Sequence, residues 1–171
     1  MDADQSDLLR ATLAHQEVAA LATLHKGDPA VSMVPYALMP DGTGAIIHVS
    51  RLATHTADMQ AHPAVSLLVM APRTEGDDPL ALPRVSLQGQ ARVCAKDDAV
   101  YAQARAAYLA RFPQAEPMFG FGDFSLFLID IRAVRFVAGF GRAHALTPEA
   151  FATLVATASA GASTSSPASS P

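Results

Sequence analysis

Hydrophobic and polar residues alternate most regularly between Val85 and Val93. Small or apolar side chains occupy one set of positions and polar side chains the other, namely Val85, Leu87, Gly89, Ala91 and Val93 against Ser86, Gln88, Gln90 and Arg92. A period of two is typical of a strand that buries one face and exposes the other. Shorter apolar runs bounded by turn residues predict further strands at 18–24, 30–38, 45–49, 64–70, 124–131 and 134–138.

Helical spacing of apolar residues and helix-start signals appear between some of these strands. The predicted helices cover residues 5–16, 54–61, Asp97 or Asp98 to about Arg111, and Thr147-Pro148-Glu149 onward. Ser6 or Asp4 is expected to cap the first helix. Strands that are mostly joined by short turns favour antiparallel pairing. The pattern therefore predicts a mainly β (α+β) fold, a closed or nearly closed antiparallel barrel with flanking helices.

The composition changes sharply near the end of the chain. Residues 159–171 contain only Ala, Gly, Ser, Thr and Pro. A segment without charges or large apolar side chains cannot bury enough surface to offset the entropy of ordering it. We expect one folded domain at residues 5–157, followed by a disordered tail at 158–171.

Composition and charge exclude several function classes. The chain has 171 residues, 50% apolar and 16% charged, with a net charge of −4 and scattered basic residues, so no nucleic-acid partner is predicted. The single cysteine, Cys94, excludes an internal disulfide. Three histidines recur every seven residues, at His48, His55 and His62, but they extend from a strand into a helix and need not share a face, so no metal site is predicted. No apolar run reaches the roughly 18 residues of a membrane span. The acidic N-terminus is unlike a signal peptide, which predicts a cytoplasmic protein.

A strand that runs into a helix carries the densest group of candidate ligands. Ser50 and Arg51 end the strand, and His55 and Thr56 lie in the first turn of a helix that begins at Thr54. Helix N-termini present free N–H groups to anions, and the planar guanidinium of arginine matches phosphate oxygens. The alternative interpretation is that Thr54 is only a cap and Arg51 only a solvated side chain.

Two other segments are candidates for contact with a flat ligand. Gly139-Phe140-Gly141-Arg142 allows close approach to the backbone and offers an aromatic ring, although a glycine turn with a core Phe explains the same residues. Pro35 inside a strand marks an edge, a bulge or a position that faces a ligand.

The order of these segments resembles a known family. The resemblance rests on Ser-Arg-Leu-Ala-x-His-Thr at 50–56, Asp-Met-x-x-His-Pro-Ala-Val-Ser-Leu-Leu-Val at 58–69, Pro-Arg-Val-Ser-Leu-Gln-Gly at 83–89 and Val-Arg-Phe-Val-Ala-Gly-Phe-Gly-Arg-Ala at 134–143. In this order they resemble the pyridoxamine 5'-phosphate oxidase-like proteins, and most of all their haem-utilisation branch. The resemblance implies a six-stranded split barrel that forms a homodimer and holds FMN at the subunit interface.

The resemblance also implies a set of cofactor-binding residues. The isoalloxazine ring would lie along residues of the second strand, Val34, Pro35 and Tyr36. The ribityl chain and phosphate would be held at the strand-to-helix junction, by Ser50, Arg51, His55 and Thr56. Further contacts, in part from the other subunit, would come from Arg84, Gln88, Phe140, Gly141 and Arg142.

The function implied is that of an FMN-dependent oxidoreductase with an unidentified small-molecule substrate or electron donor. The residues reveal no general acid or base, so the catalytic residues stay unknown. Two alternatives stay open, a haem-binding or haem-utilisation protein and a non-catalytic flavin carrier. The chain is expected to lack the additional C-terminal domain of haem-degrading relatives, which favours the flavin interpretation.

Overall fold

A computed structural model describes residues 1–161 of the chain. The strands are β1 (Val18–His25), β2 (Asp28–Pro35), β3 (Ala37–Leu38), β4 (Gly44–Ser50), β5 (Ala64–Met70), β6 (Arg84–Val93), β7 (Phe124–Gly139) and β8 (Arg142–Leu146). The helices are α1 (Ala3–His15), α2 (Thr54–Ala61), α3 (Tyr101–Arg111) and α4 (Pro148–Gly161), with 3₁₀ segments at Pro79–Ala81 and Pro113–Gly120. The predicted tail lies outside the described residues from position 162 onward.

All eight strands belong to one antiparallel sheet. The order is β2-β1-β5-β6-β7-β4-β3, and β8 also pairs with β7. Strand β7 is 16 residues long and pairs with β6 on one side; on the other it pairs with β4 along its first half and with β8 along its second. The sheet curls into a split barrel with flanking helices, which confirms the predicted fold class, with eight strands where the family resemblance implied six.

The inward-facing side chains of the sheet form one hydrophobic core. Alternation along each strand sends every second residue to this core, and Leu21, Ile47, Leu67, Leu87 and Phe136 are completely buried. Helices α1 and α4 cover the core with their own apolar side chains, namely Leu9, Leu13 and Phe151.

A second hydrophobic cluster lies on the outer face of β4 and β7. Helix α3 and the 3₁₀ segment Pro113–Gly120 pack there, and they bury Ile46, Tyr108, Phe112 and Leu128 between them. This outer cluster is separate from the barrel core, and it explains why β4 is buried on both faces.

The structure corrects several predicted boundaries. Residues 124–139 form one strand rather than two, because the predicted bend is a β-bulge. Ile131 pairs with Gly89 and Ala133 pairs with Gln88, which leaves Arg132 without a partner in β6. Helix α3 begins at Tyr101, later than predicted.

The caps and the last strand also differ from expectation. Asp2, not Ser6 or Asp4, caps α1 in a reciprocal pair with Gln5. The N-cap of α2 is Ala53, which makes no side-chain hydrogen bond, so the interpretation of Thr54 as the cap is wrong. Strand β8 was not predicted. By contrast, α2 and β5 have the predicted bounds.

Gly89 lies at the bulge, where β6 and β7 pack too closely to leave room for a side chain. A Cβ atom at this position would lie 2.5 Å from the Asp130 carbonyl oxygen and 2.8 Å from Ile129 Cγ2. We expect Gly89→Ala to lower the free energy of unfolding by about 2–3 kcal/mol, because overpacking forces the paired strands apart. Urea denaturation measures this change. Gly120→Ala, which meets no atom within 4 Å, is the matched control, and equal stability of the two variants would contradict the prediction.

No helix within the described residues 1–161 is long and apolar enough to cross a membrane.

Candidate functional site

The junction between β4 and α2 brings four predicted ligands together. The Ser50 hydroxyl donates to Asp123 Oδ2 at 3.1 Å, and the Thr56 hydroxyl donates to the Ser50 carbonyl at 2.7 Å. The Arg51 guanidinium donates to the Gly122 carbonyl, and the Arg51 N–H donates to the Asp123 carbonyl at 2.6 Å. These donors are therefore already hydrogen-bonded within the chain.

His55 is the member of this junction with an unused polar atom. Its Nδ1 lies 3.1 Å from the Ser32 hydroxyl of β2, while its Nε2 is buried and has no hydrogen-bond partner. Burial lowers the pKa of His55, and the nearby Asp58 carboxylate only partly opposes this shift. The imidazole is therefore neutral at neutral pH and offers Nε2 to a ligand.

Beneath α2 lies a polar cluster that sequence reasoning missed. The Asp58 side chain is only 6% exposed, and its carboxylate lies 2.8 Å from His25 Nδ1 and accepts from the Thr23 hydroxyl at 3.1 Å. The hydrogen bond with His25 is the main cause that lowers the pKa of Asp58, and the Thr23 hydroxyl contributes further. The available signal was the helical spacing of His55 and Asp58, which places both on one face of α2.

This cluster predicts a pH-dependent contribution to stability. Because the pKa of Asp58 is lower in the folded chain, its contribution is present above the unfolded pKa and is lost as the pH falls through the folded pKa. We expect Asp58→Asn to destabilise the protein at pH 7, and the difference from wild type to shrink in acid. Urea denaturation at several pH values measures it, with Asp28→Asn, an exposed carboxylate on β2, as control. A pH-independent difference would contradict the assignment.

The three predicted residues near the end of β2 point in different directions. The Val34 and Tyr36 side chains are buried in the core, and the Tyr36 hydroxyl donates to the Leu13 carbonyl at 2.9 Å. Pro35 is exposed. Only Pro35 therefore presents its side chain to the surface, and a role for Val34 and Tyr36 along a flavin ring stays a prediction that only their backbone atoms could fulfil.

The remaining predicted residues lie where β6, the second half of β7 and β8 meet. Arg84 begins β6 opposite Val137, and its guanidinium donates to the Leu82 carbonyl at 3.0 Å. The β7–β8 turn places Phe140 at its tip with 73% of its surface exposed, and Gly141 adopts a positive φ of 72°. Arg142 follows opposite Gly139, where β8 begins.

A cavity of about 570 Å³ is lined by residues of β5, β6, β7 and β8. Gln88 lines it together with Ser66, Ser86, Arg135 and His144. The His144 ring stacks on Phe136 with centroids 6.4 Å apart, and its Nε2 is buried with no hydrogen-bond partner. His144 is absent from the predicted ligands, although the Arg-x-His spacing after the glycine turn is a signal that could have identified it.

The predicted residues form two groups, one at the β4–α2 junction and one where β6, β7 and β8 meet. Ser50 pairs with Phe124 and Arg84 pairs with Val137, at opposite ends of β7. At about 3.3 Å per residue, these positions are separated by roughly 40 Å along the curved strand. A single subunit therefore places these two groups at opposite ends of β7. The homodimer that the resemblance implies stays a prediction. Within the described residues, no three His, Cys, Asp or Glu side chains lie together as a metal site.

Known proteins share this fold and much of this sequence. The alignment with the chloroplastic heme oxygenase HOZ of Arabidopsis thaliana is 40% identical over 119 residues, which are 70% of this chain and 35% of that protein. Heme oxygenase HutZ of Vibrio cholerae is 28% identical over 126 residues, 72% of this chain and 70% of that protein. A heme binding protein of Mycobacterium smegmatis superposes with a TM-score of 0.77 and 35% identity, over 90% of this chain and 62% of that one.

The chain thus spans about a third of the plant relative and less than two thirds of the mycobacterial structure. These relatives agree with the predicted resemblance to the haem-utilisation branch. The sequence profile described as pyridoxamine 5'-phosphate oxidase matches residues 6–138, which comprise most of α1 and nearly all of strands β1 to β7. The chain therefore belongs to the pyridoxamine 5'-phosphate oxidase family.

Proposed function

We propose that this chain is a haem-binding protein and that haem occupies the cavity beside β8. The observation that carries the proposal is His144, which lines a cavity of about 570 Å³ and whose Nε2 is buried with no hydrogen-bond partner. That volume falls within the range of about 300–1,000 Å³ usual for small-molecule and cofactor sites. The names of the 40% identical plant relative and the 35% identical mycobacterial structure support the same choice.

The residues that line this cavity fit haem chemically. Imidazole is a common ligand of haem iron. His144 would bind iron once its ring turns from Phe136 toward the cavity, and its Nε2 would give up no hydrogen bond in doing so. The Arg135 guanidinium lines the same cavity and suits a propionate carboxylate. Bound haem would supply an iron centre for oxygen chemistry, while the chain holds and orients it.

The test is a titration of the purified protein with haemin, followed by absorption spectroscopy. We expect a Soret band that saturates at one haem per chain. Because two relatives are named as haem oxygenases, the haem-loaded protein is then given oxygen and ascorbate as reductant. Loss of the Soret band under these conditions supports haem breakdown, whereas a stable band supports haem binding alone. Failure of haemin to bind contradicts the proposal.

A second candidate is an FMN-dependent oxidoreductase with the cofactor at the β4–α2 junction. The family membership and the unpartnered His55 Nε2 beside an N-terminus without a side-chain cap favour it. The hydroxyls of Ser50 and Thr56 and the Arg51 guanidinium would first have to exchange their present partners for the phosphate. Absorption at flavin wavelengths after purification, or saturable FMN binding, supports this candidate. FMN bound without reduction by NADH or NADPH indicates a flavin carrier.

We also propose that the chain acts as a homodimer, in which one subunit places its β8 group near the partner's β4–α2 junction. Large apolar side chains are exposed on β2 and β5, where a second copy would cover them, namely Val31, Met33, Leu68 and Met70. Sedimentation at twice the mass of 17.9 kDa supports the dimer, and sedimentation at the chain mass contradicts it. The cytoplasmic location stays a prediction.

A further inference from the structure

A second cavity lies outside the barrel, next to the β4–α2 junction, since it is lined by Gly122, whose carbonyl accepts from the Arg51 guanidinium. Its volume is about 240 Å³, and it is bounded by the end of β6, the start of α3, the 3₁₀ segment Pro113–Gly120 and the start of β7. Five of its lining residues carry an aromatic ring, namely Tyr101, Phe119, Phe121, Phe124 and the imidazole of His48. We call it the His48 cavity.

His48 is the polar group of this cavity that has no partner. Its side chain comes from the outward face of β4, is only 7% exposed, and stacks on Phe119 with centroids 3.9 Å apart and planes at 7°. Tyr108 and Phe124 approach the same ring at 5.8 and 5.2 Å. Nδ1 is buried with no hydrogen-bond partner. Buried polar atoms are nearly always hydrogen-bonded, so this one leaves a place for a water or a ligand hydroxyl from outside the chain.

The protonation state of His48 narrows the chemistry of that partner. Burial lowers the pKa of His48 to about 4, so the ring is neutral at neutral pH. A neutral imidazole carries one N–H donor and one acceptor nitrogen. Its acceptor nitrogen therefore suits a hydroxyl donor such as a phenolic O–H, which a charged imidazolium could not accept.

The charged side chains around the cavity include one unpaired basic group. None of the residues that line the His48 cavity is acidic, and Lys96 lies among them. Arg105 in the adjoining hollow is already paired with Glu116 at 2.5 Å and lies over the Phe119 ring. Within the described residues Lys96 forms no ion pair, so its ammonium group is available to a carboxylate.

The size of the cavity restricts the ligand to one ring. A dry apolar cavity of about 150 Å³ holds benzene, whereas sites for larger ligands and cofactors occupy about 300–1,000 Å³. A volume of about 240 Å³ lies between these values, and it is too small for a flavin or a haem.

We propose that the His48 cavity binds a single-ring aromatic carboxylate that bears a hydroxyl group. The ring is enclosed by the aromatic walls, the carboxylate pairs with Lys96, and the hydroxyl hydrogen-bonds to His48. The three features recognise different parts of one small molecule. Each can therefore be removed separately, from the protein or from the ligand.

The test compares 4-hydroxybenzoate with benzoate, which lacks only the hydroxyl. Calorimetry on the full chain is expected to show 4-hydroxybenzoate binding five- to tenfold more tightly than benzoate, the effect of about one neutral hydrogen bond. His48→Phe keeps a ring in the stack and should abolish the preference between the two ligands. Lys96→Met should weaken both ligands about equally, while Lys26→Met, at the chain's other lysine, should change neither.

A second measurement guards against a variant that fails to fold. Amide chemical shifts of the wild-type protein titrated with 4-hydroxybenzoate should move around Gly120 and Gly122, which line the cavity. Shifts confined to other parts of the chain would overturn the proposal. So would absence of binding by the wild type, or affinities unchanged in both His48→Phe and Lys96→Met.

Discussion

Replacing His144 by alanine is expected to weaken haemin binding by at least tenfold, which corresponds to about 1.4 kcal/mol, and to shift or remove the Soret band. The expectation follows from His144, which lines the cavity bounded by β5, β6, β7 and β8 and whose Nε2 is buried with no hydrogen-bond partner. The imidazole makes no hydrogen bond that the substitution would break, so the fold is expected to stay intact. Absorption titration with haemin measures the effect, and circular dichroism verifies the fold.

Two further variants make this result specific. His144→Gln keeps a polar side chain of similar length but cannot act as an imidazole ligand, so it should behave like the alanine variant. His62→Ala removes an exposed histidine after α2 and should leave the titration unchanged. A wild-type spectrum for His144→Ala would contradict the proposed ligand. If His55→Ala removed the band instead, haem would be assigned to the β4–α2 junction.

Replacing Arg111 by alanine is expected to lower the free energy of unfolding by about 3 kcal/mol. The Arg111 guanidinium donates to the carbonyl of Leu13 at 3.0 Å and to that of Ala14 at 3.2 Å, and it also bonds to that of Gln16. It lies over the Tyr36 ring at 4.9 Å. One charged group thus satisfies the free carbonyls at the C-terminus of α1 and attaches that helix to α3.

The size of the effect follows from charge-assisted hydrogen bonds, each of which contributes about 1.5–3 kcal/mol, not additively. For a domain of this length, about 3 kcal/mol corresponds to a fall in Tm of roughly 6–12 °C, which thermal denaturation detects. Arg111→Lys keeps the charge but loses the planar fork, so its loss should be intermediate. Arg92→Ala, which breaks a surface pair with Asp98, should cost less than about 1 kcal/mol. A Tm for Arg111→Ala equal to that of Arg92→Ala would contradict the assignment.

The elements that could be predicted are those in which the local pattern of apolar and polar residues reflects which side chains the fold buries. The alternation of residues 85–93 identified β6 because one face of that strand is buried and the other is not. The bounds of α2 and β5 could be predicted because Pro63 ends the helix and is followed directly by the apolar run 64–70. Strand β8 could not be predicted in this way, because Arg142 and Ala143 are exposed and the strand exists through its pairing with β7.

The candidate site could likewise be predicted only where its residues are neighbours in the sequence. Residues 50–56 could be grouped because they are contiguous and share one strand-to-helix junction. The groups that bind their side chains lie 71 and 73 residues further along the chain, at Gly122 and Asp123. Asp58 likewise meets Thr23 and His25 across 35 and 33 residues. No local pattern reports such partners, so which donors are free for a ligand could be decided only from the fold.

The length of β7 has a consequence for how the chain folds. It pairs with strands that begin as early as Gly44 and end as late as Leu146. Closing loops of this length costs entropy before any hydrogen bond of the sheet repays it, so the rate of folding is limited by these distant pairings. During synthesis the barrel cannot close until residue 139 and the turn beyond it have left the ribosome. Until then β4 and β6 keep unpaired edges, and this is the stage at which the nascent chain is most exposed to misassociation.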